Sequence, residues 1–252
     1  MKARILNLLC GAGCLVLLTV LQAQHFNRLG QSDTSTLNSL KLENEVSLLS
    51  QLPSLGFDNL LADWAFLRFL QYFGDDAERQ LTGYAITPKF FEGILANDPY
   101  FADFYLFLHN TVSIYAGQPE TAVTLSEAAL PNLSPNRPAD AFYPWRYKAI
   151  DELLFLGDGE AAQTSFEIAA DWAAQSSLPE ASKLSELSAE TAAFLAKNPQ
   201  SRSAQIDAWA GLLSNSTDEV VQRLAVERIE ALGGEIRLTE SGQFSISYPA
   251  EE

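Results

Sequence analysis

The chain has 252 residues, 47% of them apolar and 19% charged, with 32 Asp and Glu against 16 Lys and Arg. A net charge of −16 repels phosphate backbones, which argues against a nucleic-acid partner, and it opposes docking of the folded part on an anionic lipid surface. The apolar share is enough for a real core, and the length suits one large domain or a short repeat array.

Residues 1–23 read as a signal or membrane-anchor segment. Lys2 and Arg4 precede a 17-residue apolar run from Ile5 to Leu21, which predicts the N-terminus inside and the rest exported. Leu21-Gln22-Ala23 is a poor cleavage site because Leu is large at its first position. Gly11-Ala12-Gly13-Cys14 ends like a lipobox, yet the apolar run continues seven residues beyond Cys14. The favoured reading is an uncleaved anchor, with a cleaved or lipid-modified leader as the alternatives. Both cysteines, Cys10 and Cys14, lie inside this run, so the remainder has no disulfide, thiolate metal site or cysteine nucleophile. Residues 24–39 are rich in Gln, Ser, Thr and Asn and read as a polar tether.

From about residue 40 to 200 the pattern is helical. Leu42, Val46, Leu49 and Leu52 mark one helix ending at Pro53. Phe57–Phe73 is apolar nearly all round, which predicts a helix packed on every side. Asp63 and Arg68 near its middle argue against a membrane span. Breaks follow at Gly74, Pro99, Gly117, Pro131–Pro138, Gly157, Pro179 and Pro199. Gly74, Gly117 and Gly157, which each close an apolar helix, are spaced 43 and 40 residues apart, and such a period indicates stacked helix pairs.

Five residues after Gly117 and Gly157 stand Ala122 and Ala162, and seven further on Ala129 and Ala169. Phe166 lies between the second pair; Pro135 follows the first. These positions resemble the tetratricopeptide repeat, with its turn glycine, two small residues on the second helix, an aromatic between them and a closing proline. The resemblance implies an all-α solenoid of helix pairs that binds proteins. This chain departs from it in a longer period and in Ser126, which stands where the aromatic is expected. A second, looser resemblance is carried by "LGFDNLLADWAFLRFLQYFGD" and "DPYFADFYLFL". They look like a group of exported helical-repeat proteins best represented in cyanobacteria, which implies a bacterial, anchored, helical protein and no particular chemistry.

Residues 201–252 hold the last helices and a cap. Lys183–Ala196, just before them, and Ala204–Leu213 read as helices, and Ser216 with Glu219 reads as a capping box opening another that runs to Gly233. The period then changes to two. Ile236, Leu238, Phe244, Ile246 and Tyr248 alternate around Ser241-Gly242, which predicts a β-hairpin covering the end of the array, or offering a partner-binding edge.

Little here points to catalysis. His25 is in the tether, and His109 sits mid-helix among apolar residues, as a packing histidine does. No zincin, nucleophile-elbow, P-loop or dinucleotide motif is present. Asp151-Glu152 is the best pair of acids for a glycan hydrolase, but adjacent helical residues diverge by about 100° and Lys148 is placed to pair with Glu152. Asn132-Leu133-Ser134 and Asn215-Ser216-Thr217 match the glycosylation pattern, which is irrelevant if the source is bacterial. No metal, cofactor or catalytic residue is expected. The candidate partner contacts are Trp64, Arg68, Tyr72, Tyr115, Tyr147 and Asp151, lining a groove that grips a protein's carboxylate or tail. The alternative pairs Arg68 with a neighbouring acid and buries the aromatics. The expectation is a membrane-tethered adaptor or assembly factor, then a structural subunit of a membrane complex, and last a polysaccharide enzyme.

Overall fold

A computed structural model describes residues 42–47, 54–75, 79, 82–238 and 244–248. The anchor, the tether, both cysteines, His25, Leu49 to Pro53 and the Ser241-Gly242 turn lie outside these residues. The described chain is all-α with one small β-hairpin at its C-terminal end.

After a helical turn at 42–47, the helices are α1 (Asp58–Gly74), α2 (Thr87–Asn97), α3 (Ala102–Leu108), α4 (Pro119–Ala129), α5 (Phe142–Leu154), α6 (Gly159–Ala174), α7 (Ala181–Leu195), α8 (Arg202–Asn215) and α9 (Glu219–Ala231). Helix α3 continues without a break into a π-helical segment, His109–Tyr115. The strands β1 (Glu235–Leu238) and β2 (Phe244–Ser247) pair antiparallel, with Ile236 opposite Ile246 and Leu238 opposite Phe244. The glycine and proline breaks therefore fall between helices as expected, and Pro88 and Pro119 occupy first turns, where no N–H is needed.

Three helix pairs follow one another: α1 with α2, the α3–π helix with α4, and α5 with α6; α6 then packs along α7. The second and third pairs share one backbone frame. Gly117 and Gly157 both have φ +64°, a left-handed conformation that glycine takes without strain. Around each, the residue before the glycine donates its N–H to the carbonyl five residues before its own position: Ala116 to Thr111 and Leu156 to Asp151. The residue after the glycine donates to the carbonyl six residues before its own position: Gln118 to Val112 and Asp158 to Glu152. Gly74 lacks this conformation and ends α1 inside the helix, so the frame repeats at 40 residues and does not extend to the first pair.

Ala122, Ala129, Ala162 and Ala169 are all buried, and Phe166 joins Ala149, Leu153 and Ala162 in one apolar cluster. The start of α6 is pressed still closer. A Cβ on Gly159 would lie 1.8 Å from the carbonyl oxygen of Pro199, so only glycine fits.

Two sequence expectations are corrected. The last long helix is capped by Asp218, whose carboxylate accepts from Val220 and Val221 N–H; Ser216 instead accepts from the N–H of Asp218. Asp is as good a cap as Ser, and it stands next to the first helical residue. Helix α1 is not packed on every side. Ala62, Ala65, Phe69 and Tyr72 face the core at 3-4-3 spacing, whereas Phe57, Leu60, Trp64 and Leu67 on the other face are 48–63% exposed. The inner face packs against α2, and the helical turn at 42–47 meets the edge of α1 through Glu45 and Arg68.

The hairpin packs Ile236 and Ile246 against a cluster built from Ile206, Trp209, Leu213, Ala225 and Ile229 of α8 and α9. It covers that end of the core.

Candidate functional site

The interior of the second helix pair is polar. A carboxylate only accepts, so His109 donates from Nδ1 to Asp151 Oδ2 at 2.6 Å, and Ser113 donates to the same oxygen. His109 Nε2 shares a 2.9 Å hydrogen bond with Ser126 Oγ. The order Ser126–His109–Asp151 is that of an acyl-transfer relay. However, Ser126 is 0% exposed, His109 4% and Asp151 3%, so no substrate carbonyl reaches the hydroxyl. What the relay does is tie the π segment, α4 and α5 together with every ring nitrogen partnered, as a buried polar group requires.

A second buried network adjoins it through α5. Lys148 pairs with Glu152 one turn on, donates to Ser165 Oγ at 3.1 Å, and lies 3.3 Å from the half-exposed carboxylate of Glu127. Ser165 donates to the other Glu152 oxygen at 2.6 Å. The two adjacent acids thus serve different neighbours: Asp151 holds the preceding pair, and Glu152 holds α6. Arg146, also on α5, donates to Ser188 of α7, and burial lowers its pKa. A cleft of about 250 Å³ opens beside these groups, walled chiefly by Leu130, Leu133, Trp145 and Trp172. Among the described residues no group of three His, Cys, Asp or Glu is placed to hold a metal ion.

The six expected contact residues do not form one groove. Trp64 lies on the open face of α1, 48% exposed. Arg68 is half-buried at the edge of that face. It donates to Glu45 at 3.1 Å and to Gln71 at 2.9 Å, the neighbouring-acid arrangement that the sequence left as an alternative. Tyr72 is buried and donates its hydroxyl to the Gly83 carbonyl. Tyr115 belongs to an aromatic group with Phe73 and Tyr84, centroids 5.2 and 5.3 Å away, and donates to Asp218 at 2.6 Å. Burial first, and then the bond to Asp218, raise its pKa; the same bond lowers that of Asp218. Tyr147 stacks on Tyr143 at 5.9 Å, and burial pushes its hydroxyl up to about 12. Asp151 is inside. Burial therefore removes Tyr72 and Asp151 from any contact set, because their polar atoms are already committed within the core.

The open apolar surface is concentrated on α1 and the turn before it. Leu55, Phe57, Leu60, Trp64, Leu67 and Leu70 are 36–84% exposed along one side, with Asp58 and Asp63 beside them. A monomeric protein rarely leaves this much apolar side chain open in one place. Sequence reasoning named only Trp64 of this row. The signal was present: Ala62 and Ala65, the two alanines of the helix, mark the face that packs closely, and the large residues opposite them are left over.

No known protein family, no curated protein and no solved structure matches the chain.

Proposed function

We propose that the protein is a membrane-tethered helical-repeat adaptor or assembly factor, acting by protein–protein contact on the exported side of a bacterial membrane. The observation that carries this reading is the exposed apolar face of α1, a surface unsuited to a free monomer and suited to a protein partner. The 40-residue frame shared by two helix pairs supports a tetratricopeptide-like array, whose stacked pairs present extended surfaces for binding. The tether rests on the apolar run Ile5–Leu21 and the charges before it. Among the described residues no helix is long and apolar enough to cross a membrane, so the reading assigns membrane attachment to that run. The buried relay at His109 supports a structural rather than a hydrolytic role, since its serine is closed off.

The test is affinity capture of the tagged full-length protein from its own membranes, beside a Leu60→Glu, Leu67→Glu variant. A specific protein partner held by the native chain and lost with the variant is the expected result. Identical capture by both would overturn the α1 reading. Complete protection of the domain from protease in spheroplasts would overturn export.

A further inference from the structure

We infer that the partner of the α1 face is a second copy of this chain, paired α1 to α1 in parallel. The inference rests on the interaction reading above for the site and on the tether for the effective concentration.

The exposed row is spaced as a helix-pairing seam. Phe57, Leu60, Trp64 and Leu67 follow one another at 3, 4 and 3 residues, the a and d positions of two heptads, with Gln71 at the next a. Helix α1 buries the opposite side through Ala62, Ala65, Phe69 and Tyr72, so the seam is rigidly presented by the core. A lipid surface is the poorer occupant. Interfacial helices carry Lys and Arg beside the apolar face, whereas the exposed charges here are Asp58 and Asp63.

Charge then selects direction. With these heptad positions Asp63 falls at g and Arg68 at e. In a parallel pair a g residue meets the e residue five positions on in the other helix, which sets Asp63 of one copy against Arg68 of the other. Arg68 is one-third exposed at the rim, and its present partners Glu45 and Gln71 leave it on that edge. In an antiparallel pair g meets g, which would set Asp63 against Asp63.

Area is sufficient. Fully covered, the four seam residues with Leu55 and Leu70 at their margins would bury roughly 700 Å² per chain, or about 1,400 Å² over two copies, in the lower half of the range of specific interfaces. Confinement to one membrane raises the effective concentration and lets an interface of this modest size hold.

The test uses the full chain with Cys10→Ser and Cys14→Ser, reconstituted in phosphatidylcholine vesicles and mildly oxidised. Leu67→Cys should form disulfide-linked dimers in at least tenfold excess over Glu190→Cys on the exposed side of α7. Adding Leu60→Glu should cut that yield at least fivefold with the circular dichroism unchanged, since position 60 is on the surface. Asp63→Lys should lower it a few-fold and Asp58→Lys leave it unaltered. Cross-linking of Leu67→Cys no greater than that of Glu190→Cys overturns the pairing. Preferential linkage of Phe57→Cys to Leu67→Cys overturns its parallel direction. An alkaline wash of the same vesicles reads the tether separately. Protein that washes off yet cross-links refutes the anchor and leaves the pairing standing; protein that stays bound without cross-linking does the reverse.

Discussion

The helix pairs α3–α4 and α5–α6 share a turn frame offset by 40 residues and fill it with opposite chemistry. In the second pair the interior positions are His109, Ser113 and Ser126; in the third the corresponding residues are Ala149, Leu153 and Phe166. The exchange is one of shape as well as polarity. A large His faces a small Ser in one pair, and a small Ala shares a cluster with a large Phe in the other. Either arrangement fills the gap between two helices held by the same turn. The comparison teaches that the departure of Ser126 from the repeat pattern is half of a substitution whose other half is His109.

The largest expected effect breaks the apolar version. Phe166→Ala should leave a cavity and cost about 3–5 kcal/mol in urea unfolding of the protein. The next tests the exchange itself. His109→Ala and Ser126→Phe should each destabilise, the second by about 1–3 kcal/mol through overpacking. Together they should cost at least ~1 kcal/mol less than the sum of the singles, because each relieves the other. Strict additivity would mean that the two positions do not share one space. Third, Ala162→Leu should cost about 1–3 kcal/mol at the close helix contact, while the half-exposed Ala161→Leu should cost under about 0.5 kcal/mol. Equal losses would show that the repeat register is wrong.

The turn frame can be compared directly. Nothing lies within 4 Å of a Cβ built on Gly117 or Gly157, so alanine there meets only backbone strain. Both variants should lose about 1–2 kcal/mol and agree within roughly 0.5 kcal/mol if the frames are equivalent. The smallest effect concerns Tyr115. Its hydroxyl lowers the pKa of Asp218, so this contribution to stability is present above the ordinary carboxylate range and fades as pH falls through it. Tyr115→Phe should flatten that acid fade in the thermal midpoint measured from neutral pH downward; an unchanged slope would remove the bond from the account.

Much of the helical plan was legible because glycine and proline punctuate it. Gly117 and Gly157 mark the two equivalent turns, and Ala122 and Ala162 mark the close contacts behind them. What the sequence hid was direction. In α1, large apolar residues occur at nearly every angle, so periodicity alone does not say which face is covered. Only the pair Ala62 and Ala65 distinguishes the inner side. The His109 relay was hidden for another reason: its members lie 17 and 42 residues from the histidine, and nothing local requires them to meet. The 40-residue alignment would have exposed it, by showing three polar residues where the next pair has three apolar ones. The cap of α9 was placed at Ser216, two residues early, because Ser216 and Glu219 fit a familiar box, whereas Asp218 makes the bonds.

The hydrogen bond from Tyr115 to Asp218 has a consequence for how the chain is made. It joins residues 103 apart, whereas the His109, Arg146 and Lys148 ties span 42 residues or fewer. During synthesis each helix pair meets its partners within about one repeat of emerging, and such local closure is fast. Tyr115 instead waits until the chain has reached the cap of α9. That bond therefore closes only after the first three pairs have been made, and only α9 and the hairpin that packs on it are completed later.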